Sequence, residues 1–228
     1  MLILMNIKGI FSFDFSLSKP AMCAYINGKY HFYTWPAKID EKTETKLKDV
    51  NINVYNRHLS PISKKNYDSH QLTFELTQRI HFLTDYIVED IFNLIEDNYG
   101  DDYNIMTEFI ISSEGLSFAS KGDQTLNLAA AKQVLLCKLY DKGFRHIKTY
   151  SPMTIKSVAG TAKHKNYSKT PVIEAIKEEN ENYHLFIKTL KYNDIALKKT
   201  KTYIDTIDDL VDAYFCLKTT IEKENLIL

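Results

Sequence analysis

The sequence predicts an α/β fold built on a mixed five-stranded sheet, an antiparallel three-stranded meander followed by two parallel strands, with helices on its faces. Two observations carry this expectation. Near the N-terminus, short runs of bulky residues are separated by turn signals, among them Asn27-Gly28, a two-residue hairpin signal. Beyond residue 69, helical apolar periods alternate with short apolar runs, the pattern of strands joined by crossover helices.

Residues 7–15 read as the first strand, with one acid, Asp14, among Phe11, Phe13 and Phe15. Residues 21–26 and 29–35 form the hairpin around Asn27-Gly28. Residues 36–69 are polar and lysine-rich without a long apolar period, so they read as an insertion or long loop. Leu72, Leu76, Ile80, Leu83, Ile87, Ile91 and Leu94 then mark a long helix over 69–98. Residues 106–113 read as a buried strand, 126–140 as a helix stopped by Gly143, and 146–150 as a short strand. Thr170-Pro171 opens a helix to about 181, and a last helix runs from about 206 to 224. The expected organisation is one domain over 1–228 with an insertion at 36–69.

Composition sets broad limits. The chain is neutral overall, so net charge says nothing of a polyanionic partner. Residues 142–201, however, carry 13 Lys/Arg against 5 Asp/Glu, a surplus of +8 that suits either a phosphate backbone or plain solvated helix faces. Cys23, Cys137 and Cys216 are odd in number and widely spaced, which predicts neither a disulfide framework nor a zinc site. No apolar run approaches about 18 residues, so no membrane span is expected, and the setting that fits is a reducing cytoplasm. No GxGxxG or Walker loop appears, so no nucleotide cofactor is expected. There is no HExxH spacing, and Ser112-Ser113-Glu114 is not a nucleophile elbow.

Four acids fall where this element order brings segments together. Asp14 lies in a strand of bulky residues, where a carboxylate is costly unless it is paired or binds a cation; an edge strand facing water is the plainer reading. Glu114 follows Ile110-Ile111-Ser112-Ser113 at a strand C-terminus, and Gly115 after it permits a sharp turn. Glu108 sits at the start of that strand and is expected at its other end. Asp209 and Asp212 share a helix face in the last helix, whereas Asp208 suits the helix dipole. An all-oxygen set of three or four carboxylates suits Mg²⁺, with Mn²⁺ as a substitute. Two such ions about 4 Å apart can activate water and stabilise the leaving oxygen of a phosphodiester.

Three segments carry a resemblance. Phe13-Asp14-Phe15-Ser16, Glu114-Gly115-Leu116-Ser117-Phe118 and Asp209-Leu210-Val211-Asp212-Ala213 resemble, in order, the four-acid signature of the RuvC-type Holliday junction resolvases, a group with an RNase H-like fold. Pro152-Met153-Thr154-Ile155-Lys156, with Ala159-Gly160-Thr161 and Lys169, is similar to that family's basic stretch. The run from Asp14 to Pro20 looks most like bacteriophage versions. The stretches 36–69, 156–169 and 182–205 are longer than the family pattern.

The resemblance implies a Mg²⁺-dependent endonuclease that resolves four-way or otherwise branched double-stranded DNA as a homodimer. Asp14, Glu114, Asp209 and Asp212 would be the catalytic ligands of two ions. Lys156, Lys163, Lys165 and Lys169 would contact DNA, and Phe118 would stack on a base at the branch point or anchor its own loop. A flap, single-strand or replicative-branch nuclease and a non-cleaving DNA-binding protein of the same fold are the alternatives. The dimer would form through the helices at 69–98 and 126–140, the former carrying Phe82, Leu83, Tyr86, Ile87 and Phe92, more apolar residues than one core-facing stripe needs; an insertion at 36–69 that covers this face would leave a monomer instead.

Overall fold

The computed structural model describes residues 6–60, 68–115, 123–162, 175 and 205–227. The strands are β1 (Gly9–Asp14), β2 (Ala21–Ile26), β3 (Lys29–Thr34), β4 (Ile52–Val54), β5 (Phe109–Glu114) and β6 (His146–Tyr150). The helices are α1 (Glu41–Lys48), α2 (Ser69–Tyr99), α3 (Ile105–Glu108), α4 (Asp123–Asp141), α5 (Pro152–Val158) and α6 (Asp205–Lys223).

The described strands form one mixed sheet in the order β4-β3-β2-β1-β5-β6. β1, β2 and β3 make the expected antiparallel meander, with Asn27 and Gly28 at φ 48° and 74° in its turn. β5 pairs parallel with β1, and β6 parallel with β5. This is the mixed sheet expected of an RNase H-like domain, with one correction: it has six strands, not five. The sixth comes from the segment read as an insertion or loop, where α1 is capped by Asp40 and β4 pairs parallel with the edge of β3. Residues 105–108, partly assigned to a strand by sequence, form α3 instead. That turn puts Glu108 beside Lys8 at 3.2 Å, at the opposite end of the sheet from Glu114 as expected. The helix expected over 170–181 lies outside the described residues apart from Ala175.

Side chains alternate across the sheet, and each face has its own core. Ile10, Cys23, Phe32, Ile52 and Ile110 pack against Leu210, Val211, Tyr214 and Leu217 of α6. On the other face, Phe11, Phe13, Met22 and Ile111 pack against Leu83, Ile87 and Ile91 of α2 and Leu135 and Leu139 of α4. α6 reads Leu210-Val211-Asp212-Ala213-Tyr214-Phe215-Cys216-Leu217, apolar on most of its circumference, because it lies across β1, β2 and β5 and also meets α5. α2 starts with a capping box, Asp68 with Gln71, and ends at Gly100. Leu83 and Ile87 of the apolar set noted on this helix belong to the core and Phe92 packs against it, while Phe74, Phe82 and Tyr86 stay exposed.

Beneath the C-terminal end of the sheet lies a buried hydroxyl cluster. Ser12 and Ser112 are register partners and their hydroxyls are in hydrogen-bond contact. Thr220 Oγ1 of α6 lies 2.8 Å from Ser112 Oγ. All three residues are fully buried, so Ser112→Ala leaves the Ser12 hydroxyl without this partner in a dry interior. The expected cost is about 1–3 kcal/mol in urea-induced unfolding. A loss below about 0.5 kcal/mol would show that this cluster does not clamp α6 to the sheet.

Candidate active site

The site follows from strand parity. Ile10 faces α6, so Ser12 and Asp14 face it too, and Ile110, Ser112 and Glu114 repeat the pattern on β5. Phe13 pairs with Ser113 in a parallel ladder, which puts Asp14 and Glu114 next to each other at neighbouring strand ends, strands standing about 4.8 Å apart. Both acids are half-buried. Gly115 closes the end of β5, but not by a left-handed turn. Its N–H donates to Tyr150 O at 2.7 Å, and a Cβ there would stand 3.2 Å from that same oxygen, so glycine allows the end of β6 to approach.

α6 brings further acids to this end. Thr220 touches Ser112, and Cys216, one turn nearer the helix N-terminus, places its thiol 3.9 Å from Ser112 Oγ. Burial, chiefly, with the Glu114 and Asp14 carboxylates beside it, pushes that thiol up to about 12, so it stays protonated at neutral pH. Asp212 is one turn further along the same face and Asp209 three residues beyond it, both half-buried and in the direction of the strand ends. Among the described residues, no three His, Cys, Asp or Glu side chains are gathered into a cluster that could hold a metal ion. The adjacent pair Asp14 and Glu114 nonetheless fits a hard cation, because Mg²⁺ commonly takes one or two carboxylates and keeps several waters.

One side chain beside the acid pair was missed in the sequence. Lys132 of α4 is only 8% exposed, and its ammonium donates to the backbone carbonyl of Glu114. Burial lowers its pKa, and the negative groups near it, Glu114 and Asp14 among them, oppose that shift. It therefore reaches from the α2–α4 face around the strand ends into the acid pair. The available signal was a lone lysine inside Leu128-Ala129-Ala130-Ala131-Lys132-Gln133-Val134-Leu135, a run otherwise suited to a buried helix face.

Lys156 lies in the last turn of α5, half-buried, on a helix that packs against α6. Phe118, Lys163, Lys165 and Lys169 lie outside the described residues. Among the described residues no helix is long and apolar enough to cross a membrane.

Fold and site together define an α/β domain on a six-stranded mixed sheet, with an acid pair at the C-terminal ends of the adjacent parallel strands β1 and β5. The sequence matches no known family model and no curated protein. The structure is similar to Thermus thermophilus RuvC, with a TM-score of 0.49 and 10% identity over 94% of this chain and 96% of that one. It is similar to T. thermophilus RuvC in complex with a Holliday junction substrate, at a TM-score of 0.49 and 9% identity over 94% and 95% of the two chains. A third likeness is to the yeast mitochondrial Holliday junction resolvase, at a TM-score of 0.47 and 14% identity over 98% and 81%.

Proposed function

We propose that this chain is a Mg²⁺-dependent endonuclease that hydrolyses phosphodiester bonds of branched DNA, four-way junctions foremost. The observation that carries the reading is the placement of Asp14 and Glu114 side by side at adjacent strand ends, with Asp209 and Asp212 on the α6 face that runs toward them. Asp14 and Glu114 would hold the divalent ion, with Asp212 and Asp209 closing the set around DNA. The bound ion supplies the means to lower the pKa of the attacking water and to neutralise charge on the leaving oxygen. Lys132 fixes the end of β5 through the Glu114 carbonyl, so the carboxylate is held on an anchored backbone. The Cys216 thiol, protonated under the pair, adds no charge to it. Lys156, at the end of α5, and the lysines at 163, 165 and 169 would offset phosphate charge on the strand being cut.

Two symmetric cuts on a four-way junction require two sites related by a two-fold axis, so the proposal includes a homodimer on that substrate. The deciding experiment presents the purified chain with four-way, three-way, flap, single-stranded and linear DNAs. Cleavage of the four-way junction in Mg²⁺ or Mn²⁺ and none in EDTA is expected, with the complex sedimenting as a dimer. Preferential cutting of flaps or single strands would replace the junction assignment. Intact DNA on every substrate at saturating metal would leave a binding protein and overturn the nuclease reading.

A further inference from the structure

A concave site lies at the same end of the sheet as the acid pair, on the face opposite α6. β1, β3, β4 and β5 all point to that end. Trp35 and Tyr55 directly follow Thr34 and Val54, which are register partners, so the two aromatics emerge side by side. With Tyr33 they form a set of nearly parallel rings, 17° between Tyr33 and Trp35 and 14° between Trp35 and Tyr55. Trp35 is fully buried, and its indole N–H donates to Asp90 at 2.6 Å. Tyr55 caps the set and is 44% exposed. Across from it, α2 presents Phe82 and Tyr86, one turn apart and 58% and 51% exposed. These rings enclose a cavity of about 510 Å³ that also has Arg57 and Arg79 in its wall. That volume lies in the ordinary range of small-ligand sites, ~300–1,000 Å³.

The two guanidinium groups are held by backbone carbonyls and, for Arg79, by Glu75 as well. Arg57 donates through Nε to Trp35 O at 2.9 Å and through Nη2 to Leu17 O at 2.7 Å. Arg79 donates to Glu75 at 2.6 Å and to Ser60 O at 2.7 Å. Among the described residues, Arg57 Nη1 and Arg79 Nη2 have no hydrogen-bond partner, and Arg57 has no carboxylate partner. Two fixed cations thus share this wall, one of them paired with Glu75, while the acid Asp90 is hydrogen-bonded to Trp35 and Tyr55 of the ring set. Burial and the neighbouring Arg79 lower Arg57 to about 10, which keeps it charged at neutral pH. A second groove shares Arg57, Arg79 and Leu83 with this cavity and runs past Lys38 to Leu17, Ser18 and Lys19. Leu17 is three residues beyond Asp14, so the groove ends on the loop that leaves the acid pair.

We propose that this cavity binds an unpaired nucleotide of a DNA strand, its base against Tyr55, Phe82 and Tyr86 and its phosphate on Arg57 and Arg79. A flat apolar wall beside rigid cations suits a base carrying its own phosphate. A paired base is already stacked on both faces and does not enter. An apolar side chain from a protein partner would fill the aromatic part and leave Arg57, which has no carboxylate partner among the described residues, without a counter-charge. The proposal deepens the nuclease reading by naming what the enzyme would recognise at a branch, and it rests on that reading for the polymer but not for the chemistry.

Trp35, the sole tryptophan, is a built-in reporter. The Asp14→Asn chain in EDTA is titrated with a single strand of about ten thymidines and with a blunt duplex of that length, a size within the range of single-strand sites. The single strand is expected to change Trp35 emission saturably, and the duplex to bind at least about tenfold more weakly. The double variant Tyr55→Ala/Phe82→Ala, checked for fold by circular dichroism, is expected to lose about tenfold in single-strand affinity. Arg79→Gln, which leaves Arg57 and its two carbonyl bonds intact, is expected to lower the salt slope of binding by about 0.7.

Equal affinity for single strand and duplex would overturn the proposal. So would unchanged affinity in both variants, or a double variant that turns a dimer into a monomer while still binding the single strand, which would make the cavity a protein interface. Binding without any cleavage by the wild-type chain would uphold the cavity and sink the nuclease reading; cleavage without single-strand binding would do the reverse.

Discussion

Asp14→Asn is expected to abolish Mg²⁺-dependent cleavage while leaving the fold intact. The change keeps the shape of the side chain and removes its charge. Metal-assisted phosphodiester hydrolysis draws several kcal/mol from the ion, and each 1.36 kcal/mol is a factor of ten in rate, so a loss of at least about a thousandfold is expected. The fold should survive because the acid is half-buried at the end of β1, above a core of Ile10, Phe11 and Phe13 that the change does not touch. Two measurements check this: single-turnover cleavage of a four-way junction, and thermal unfolding in EDTA. Asp14 also stands beside Glu114 and in reach of Lys132, so removing its charge relieves a repulsion as well as losing an attraction. The midpoint should therefore move little. A variant that cuts at the wild-type rate would remove Asp14 from the site, and with it the carboxylate pair.

What the sequence disclosed follows the range of the interactions involved. The meander was legible because a hairpin announces itself locally, through Asn27-Gly28 and the strands on either side. α2, α4 and α6 were legible to within a few residues because their apolar periods are long. β4 was not legible. It is three residues long in a lysine-rich stretch, and only its pairing with Phe32, Tyr33 and Thr34 makes it a strand. The same holds for the aromatic cavity, whose walls come from residues 35, 55, 82 and 86, brought together by β3, β4 and α2. Asp14 stood out as an acid among apolar residues and Glu114 as one at a strand C-terminus, but their adjacency depends on the register of β1 against β5, which no local pattern specifies. Lys132 was easy to pass over for a different reason. A lysine on an alanine-rich helix looks like a solvated residue, and its burial arises only where α4 passes the ends of β1 and β5.

That buried lysine gives the second large effect. Lys132→Met keeps the aliphatic stem but removes the donor to Glu114 O and the positive charge facing the acid pair. Removing one partner from a fully buried ionic group costs ~3–5 kcal/mol, because the remaining charge is left uncompensated. Asp14 and Glu114 are only half-buried, so solvent takes up part of that and ~2 kcal/mol in EDTA is a fairer expectation. For a chain of this size such a loss lowers Tm by about 4–8 °C. The informative part is what Mg²⁺ does. In the wild-type chain the ammonium already compensates part of the pair's charge and opposes a divalent ion placed beside it. In Lys132→Met the ion supplies the missing positive charge, so millimolar Mg²⁺ should raise the Tm of the variant by several degrees more than that of the wild type. Lys132→Arg, which keeps a cation and a donor, should fall between the two. If Lys132→Met melts with the wild type in EDTA and responds to Mg²⁺ no more strongly, then the lysine is a packing residue, and the acid pair does not feel its charge.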